Sequence, residues 1–585
     1  MQTNTVQIQK RRKHGFNVLG RLVMVLLVAA LFVPQATAAV QLSIAGYFDH
    51  IYGGKVLEEP TDGRPESKLW YNDGRWWAVM FNPTTEAFHI YWLEWKTQTW
   101  KDTGIKVDER NDTRADVLWD GANAKLYVAS HVKQDNPGWT NNSANRPWLY
   151  RFSYDSATKT YILDAGFGEG TVIGEDKTKT LVIDMDADDY LWLTYVSQEN
   201  GGTPEEPKPY QVYVNRTETT SDDSDWKLPF VLPFPEATNL AQQDISSIIT
   251  FTDNTGPKVG VMWSNEASGV NRFFFASRPA GAGVEGDGWV METLPAALNA
   301  LPSNDQINLK KDSQGRLFAV IKTHADLLPN MLTAPLIAVL VRDLDGNFTF
   351  HPVSPVSSGD TRAMLVVHEG APAAGDERLF VFATSNATGG AICYHTAAIT
   401  PVLADITFPG SSCGDPGLAG ADQVLSDTQI YTKIDNATST KQVLNNNTDI
   451  VILAGDQGDE SYVHAAVINP PPIMTSRFPV GQNLFSQENM TVRITFDRQM
   501  NPATVNTGTL RVSSSQGQVA GVVAYNPANR TATFTPNSPL LIDTRYTVTV
   551  TDGLLDQTGQ PLLDSPHDWT FRLIPHNLFL PGLYN

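Results

Sequence analysis

The sequence predicts an all-β protein, and three observations carry the prediction. Short apolar or alternating segments are separated by turns rich in Gly, Asn, Asp and Pro, with 43 glycines and 36 prolines among 585 residues. Aromatic residues make up 10% of the chain against 18% charged ones, and Ala/Glu/Lys/Leu-rich helical stretches are nearly absent. One motif, a polar turn followed by a short apolar strand, returns about every sixty residues. The chain is too long for a single core, so more than one domain is expected.

Residues 1–38 read as a signal peptide. Lys10, Arg11, Arg12, Lys13 and Arg21 precede the apolar run LVMVLLVAALFV, and Ala36-Thr37-Ala38 offers small residues at the offsets for cleavage. That run is short for a membrane span, and no later stretch is long and apolar enough to cross a bilayer as a helix. The mature chain is therefore expected outside the cell or at its surface. Cleavage removes five positive charges and no negative one from a chain of net charge −20, leaving about −25. Such a surface repels nucleic acid and anionic lipid, suits an extracellular solute and attracts divalent cations.

Residues 40–468 are expected to form a β-propeller of about seven four-stranded blades. The stretch SKLWYNDGRWWAVMF (67–81) shows the unit: two aromatic runs flank Asn-Asp-Gly, a tight-hairpin signal. Its counterparts are DGANAKLYVASH (120–131), DADDYLWLTYVSQ (186–198), DNTGPKVGVMWSN (253–265), DSQGRLFAVIKTH (312–324), GDERLFVFATSN (375–386) and NTDIVILAGD (447–456). An apolar strand precedes the turn in six of these (LWYN, VLW, LVIDM, IITFT, INLKK and MLVVH), and further extended segments follow. One such meander cannot bury both faces, whereas radial stacking gives every face a neighbour. A pair of stacked sandwiches would also show alternation, but not one motif at a fixed period. The last repeat is short of its outer strand on this reading, and VQLSIAGYFDHIY (40–52) is placed to supply it. Cys393 and Cys413 flank a local hairpin and read as a disulfide in an oxidising compartment.

Pro470, Pro471 and Pro472 make 469–472 a stiff linker. Residues 473–574 then carry short strands of period two, such as MTVRITFDRQM, RTATFTP and DWTFRL, which argue for a small antiparallel sandwich. The stretches VRITFDRQMNPATVN, YNPANRTATFTPNSPLLIDTRYTVTV and DGLLDQTGQPL…WTF resemble the SbsA-type bacterial Ig-like domain. The resemblance implies a spacer or adhesion module of exported surface proteins, with no active site. The region before it resembles secreted sialidase-like propellers in general pattern only. It lacks the repeated Ser-x-Asp-x-Gly-x-x-Trp box and the Arg-Ile-Pro opening. The apolar tail 575–585 either packs on the sandwich or serves as a sorting tag.

In a propeller the loops leading into the innermost strands and those leaving the second strands share one face around the channel. The first ring holds Arg64, Glu66, Lys68, Arg114, Asp116, Lys179, Asp244, Asp305, Asp360, Arg362 and Asp422. The second holds Asn82, His131, Gln198, Asn265, His324, Asn386 and Asp456. The residues taken to bind a ligand are Arg64, Lys68, Arg114, Asp116, His131, Asp244, Asp305, His324, Arg362 and Asp422. Such groups can grip hydroxyls and carboxylates through charge-assisted hydrogen bonds, and three arginines at equivalent positions suit an anionic sugar. The alternative is that they cap strand ends, which every repeat requires. Asp184, Asp186 and Asp188 have a spacing that could converge on calcium. However, Asp189 replaces the required glycine and Tyr195 the final glutamate, so a plain acidic hairpin turn competes. Gly-x-Ser-x-Gly occurs once, as GSSCG (410–414), in a Gly/Pro-rich stretch that does not read as a strand-to-helix elbow. No His-Glu-x-x-His or phosphate loop is present, and no catalytic residue is assigned. The expected function is non-catalytic binding of a glycan or other surface polymer. A secreted glycoside hydrolase and a structural envelope component are the alternatives.

Overall fold

The computed structural model describes residues 43–574 apart from 57–58, 64, 96, 133–142, 169, 199–207, 268, 282, 284–285, 370–376, 386–389, 409–422, 426–432, 446–447, 469–471, 473, 481–482, 486–489, 497, 558–560 and 563–564. The expected signal peptide and tail, Arg64, Asn386, Cys413, Asp422 and most of the proline linker lie outside the described residues. Among the described residues no cysteine is free and no helix is long and apolar enough to cross a membrane.

Among the described residues seven sheets follow one another along 43–468, antiparallel except where His368 and Glu369 of the sixth pair in parallel with Leu444 and Asn445. The first runs Leu69–Asn72, Arg75–Asn82, Ala87–Glu94, Thr99–Asp108, each strand pairing with the next. Its opening turn is built by Asp73 and Gly74, both at positive φ (49° and 74°), the two-residue geometry that matches the twist of a hairpin. The innermost strands of the next five sheets are Thr113–Asp120, Leu181–Met185, Ser246–Asp253, Ser303–Lys311 and Asp360–Glu369. The second, third and sixth sheets carry a fifth strand beyond the expected four. The seventh consists of Ile434–Thr438, Ile450–Asp456, Ser461–Ile468 and, as its outer strand, the N-terminal Ser43–Ile51. The two ends of this part of the chain are thus held in one sheet, as the extended segment before the first repeat suggested.

The core lies between the sheets. Trp192, Val196 and Val212 of the third sheet pack against Ile248, Val261 and Trp263 of the fourth. The third sheet's other face, with Ile183, Leu193 and Tyr195, packs on Tyr127 and Leu149 of the second. The fourth and fifth sheets, and the fifth and sixth, bury common clusters in the same way. A sheet covered on both faces is the propeller solution, and two face-to-face layers would not produce it. The innermost strands are stitched sideways. Asp116 accepts the N–H groups of Ser67 and Ile183, both at 2.8 Å, and so joins the first three sheets. Asp184 accepts from Thr250 N at 2.7 Å and Asn308 from Leu365 N at 3.1 Å. Lys68 N donates to Ser439 O at 3.2 Å, which links the first sheet to the last.

Beyond this region two further sheets face each other. One is ordered Met474–Phe478, Val492–Phe496, Thr531–Pro536, Gly521–Asn526; the other contains Asn483–Phe485, His567–Ile574, Arg545–Val550, Leu510–Ser514 and Gly517–Gln518. Val492, Ile494, Phe496, Val512, Phe534, Val548 and Phe571 fill the space between them. The motif residues have physical roles here. Met500 is fully buried in this core, and Asn501 caps the short helical turn Pro502–Thr504 through Ala503 N.

Candidate binding face

The innermost strands all begin at one face of the ring, here the leading face. Most of the side chains expected to line it are engaged with one another. Glu66 is fully buried and takes His131 Nε2 at 2.6 Å, Lys68 Nζ at 3.0 Å and Leu181 N at 3.0 Å. Burial alone would raise its pKa, but Lys68, His131 and the Leu181 N–H hold it down at about 2. Arg114, 3% exposed in its side chain, pairs with Asp62 at 3.0 Å. Asp116 pairs with Lys441, and burial outweighs that ammonium, so its pKa is raised. Asp244 accepts from Ala241 N and Ser264 Oγ, both at 2.7 Å, and burial pushes it up to about 6. In the second ring Gln198, Asn265 and Asp456 bond to Lys208 O, Glu236 O and Gly458 N, so they tie down nearby loops. Asn82 reaches Asp102 of its own sheet at 2.6 Å.

Three of the expected residues remain within reach of solvent. Asp305 pairs with Lys179 at 2.9 Å across the face, from the fifth sheet to the third. His324 lies 3.6 Å from Glu266 and 3.3 Å from Asp326, and these carboxylates raise its pKa. Arg362 reaches Asp435 of the seventh sheet at 3.0 Å and keeps 29% of its side chain exposed.

Around Arg362 the backbone is unusual. Arg362 and Asn436 both sit at positive φ (52° and 54°), each inside a register shift of its strand. Non-glycine residues held there carry strain of about 1–3 kcal/mol, the kind that clusters at ligand sites. Asn436 Nδ2 donates to Glu59 Oε2 at 2.6 Å and to Asp435 Oδ1 at 2.8 Å, and Gln457 Nε2 bridges the same two carboxyls. Glu59 also hydrogen-bonds Asp435 directly. Burial, then that bond and the neighbouring charge, hold the Glu59 pKa well above the ordinary range. Gly455 makes room for this pair, because a Cβ there would lie 2.1 Å from Glu59 Oε1. Arg362 Nε and Asn436 Oδ1 are buried with no hydrogen-bond partner. Two unsatisfied polar atoms beside a hydrogen-bonded carboxyl pair can orient a polyhydroxylated ligand. A glycosidase needs its carboxyls about 5–10 Å apart, flanking the bond to be broken, which two directly hydrogen-bonded carboxyls are not.

The spacing argument missed Glu59, Asp435, Asn436 and Gln457. It placed the start of the seventh repeat at Asp422, whereas the innermost strand there is Ile434–Thr438, so Asp435 occupies the equivalent position. The signal available was the run TKIDNATST, to which the repeat pattern assigned no role. Glu59 lies in irregular chain between the N-terminal strand and the first repeat, where no period applies. The acidic run 184–190 is a hairpin turn. Asp186 accepts from Asp188 N, Tyr190 N, Trp192 Nε1 and Gly281 N, and Asp184 from Thr250. Among the described residues no group of three or more His, Cys, Asp or Glu side chains is placed to hold a metal ion.

Residues 468–573 match the family model of a bacterial Ig-like domain. No curated protein matches the chain. Solved structures similar to it include a protein of unknown function from Dyadobacter fermentans, 11% identical with a TM-score of 0.38, the match covering 61% of this chain and 95% of that one. The α-L-arabinanase of Penicillium chrysogenum in complex with arabinobiose is 10% identical with a TM-score of 0.34, covering 58% and 94%. The NanB sialidase of Streptococcus pneumoniae is 10% identical, again with a TM-score of 0.34, covering 72% and 69%.

Proposed function

We propose that the chain is an exported or cell-surface binding protein that recognises a glycan or other surface polymer through the leading face of a seven-bladed propeller, residues 40–468. In this reading 1–38 is a cleaved signal peptide, Cys393 pairs with Cys413, 469–472 is a linker, and 473–574 is an SbsA-type spacer followed by a tail at 575–585. The observation that carries the binding site is the strained pair Arg362 and Asn436, with buried Nε and Oδ1 atoms unpartnered beside Glu59 and Asp435. Lys179, Asp305 and His324 extend the polar surface of the same face. Lys68, Glu66, His131, Arg114, Asp116 and Asp244 act beneath it as a support. A glycan array probed with the mature chain should show retention of hydroxyl- and carboxylate-rich sugars, and Arg362→Ala should abolish it. Equal retention by that variant rejects the site. Turnover of glycoside or sialoside substrates would replace this reading with the hydrolase.

A further inference from the structure

The opposite end of the channel, where the innermost hairpins turn, holds a separate cavity of about 270 Å3. Trp70, Val117, Trp119, Ile249 and Leu309 supply apolar walls, and Lys310, Lys311 and Lys441 bring three ammonium groups to it. Two of these are accounted for. Lys441 pairs with Asp116, and Lys311 donates to Thr250 O at 2.7 Å with Asp184 at 4.0 Å. Lys310 differs. Its side chain crosses from the fifth sheet to Ser67 Oγ at 3.1 Å and Thr440 O at 2.8 Å, both neutral acceptors. Among the described residues it makes no ion pair, and it is 3% exposed. Burial, with the Lys441 charge adding to it, lowers its pKa to about 7 against the opposing charges of Asp116 and Asp184, neither of which it pairs with directly.

An ammonium whose own contacts are all neutral has no direct counter-ion here. It lies beside a second cation, and the nearby carboxylates Asp116 and Asp184 are engaged by Lys441, Lys311 and the Thr250 N–H. The cavity it faces is part apolar and part polar, with Asp120 and Asp184 in its lining. We propose that this cavity is a binding site for a small organic monocarboxylate with a compact apolar body, its carboxylate taking Lys310 Nζ and its body the space between Trp70, Trp119 and Ile249. Gly121 and Lys311 lie at its exposed rim. The site is distinct from the leading face and does not rest on the glycan reading. If Lys310 were only a brace across the channel, its removal would cost stability and no anion would bind.

The test is calorimetric titration of the mature chain with benzoate, run in two cationic buffers of different ionisation enthalpy at about pH 8. The expected result is saturable binding with net proton uptake from the buffer, because the bound carboxylate draws Lys310 to its charged form. Benzyl alcohol, the neutral counterpart, should not bind, and Lys310→Met should weaken benzoate by about tenfold or more. Arg362→Ala, at the other face, should leave benzoate binding unchanged. No saturable benzoate binding, binding without proton uptake, equal binding of benzyl alcohol, or undiminished binding by Lys310→Met each overturns the proposal. The proton-uptake measurement needs no variant, so it decides the matter even if Lys310→Met fails to fold.

Discussion

The ring and the sandwich are both antiparallel β, yet their strands bury different residues. Arg75–Asn82 of the ring is buried at six successive positions, while Val492–Phe496 of the sandwich buries every second residue. A sheet covered on both faces hides each side chain, and a sheet covered on one hides half of them. The ring therefore reads as continuous apolar runs such as RWWAVMF and the sandwich as alternation. The two regions differ again in buried charge. The sandwich core is apolar, with Arg498 and Asp556 3.8 Å apart beside it. The ring hides Lys68, Glu66, His131, Arg114 and Asp116 along its inner side. The cause is the edge problem. Along most of their length the innermost strands are sheet edges whose N–H groups are shut away from water, and side-chain acceptors such as Asp116, Asp184 and Asn308 satisfy them.

That contrast can be broken at its strongest point first. Glu66→Ala leaves His131 Nε2 and the Leu181 N–H without their acceptor and the buried Lys68 ammonium with only Ala115 O, and should cost about 3–5 kcal/mol in denaturant unfolding of the ring. Phe534→Ala in the sandwich, which opens an apolar cavity and strands no charge, should cost about 3–4 kcal/mol. If Glu66→Ala proved milder than a surface change, the buried ionic network would not be what holds the innermost strands. Asn308→Ala, which orphans Leu365 N–H, should cost about 1–3 kcal/mol.

Acid sharpens the same difference. The folded pKa of Glu66, about 2, lies below its ordinary 4.5. Its contribution is thus complete above pH 4.5 and disappears as pH falls toward 2. The denaturation midpoint should drop across that window in the wild type and stay flatter in Glu66→Gln. The smallest effect belongs to the sandwich surface. Arg572 and Asp543 form an ion pair with side chains 46% and 70% exposed, so Arg572→Ala should change stability by under about 1 kcal/mol.

Much of the fold was legible in advance. Asn-Asp-Gly announces its hairpin, the recurring turn-plus-strand unit announces the succession of sheets, and the extended segment before the first repeat announces the outer strand of the last. The site was legible in part. Arg362, Asp305 and His324 stand at the predicted face and remain partly exposed, but Lys68, Arg114, Asp116, His131 and Asp244 are buried beneath it. A period assigns each residue a height along its strand. It does not say which residue of another repeat will meet it, nor whether water will remain between them.

The sequence by itself determined which segments are strands, where they turn, and that one region needs cover on two faces and the other on one, because these follow from local propensity and spacing. Only the tertiary structure decided the pairings at the inner side of the ring. Lys441 meets Asp116 from 325 residues away, and Lys310 meets Ser67 from 243. Such contacts arise when seven separate sheets bring their edges together, and the charge each side chain faces is set there and not along the chain.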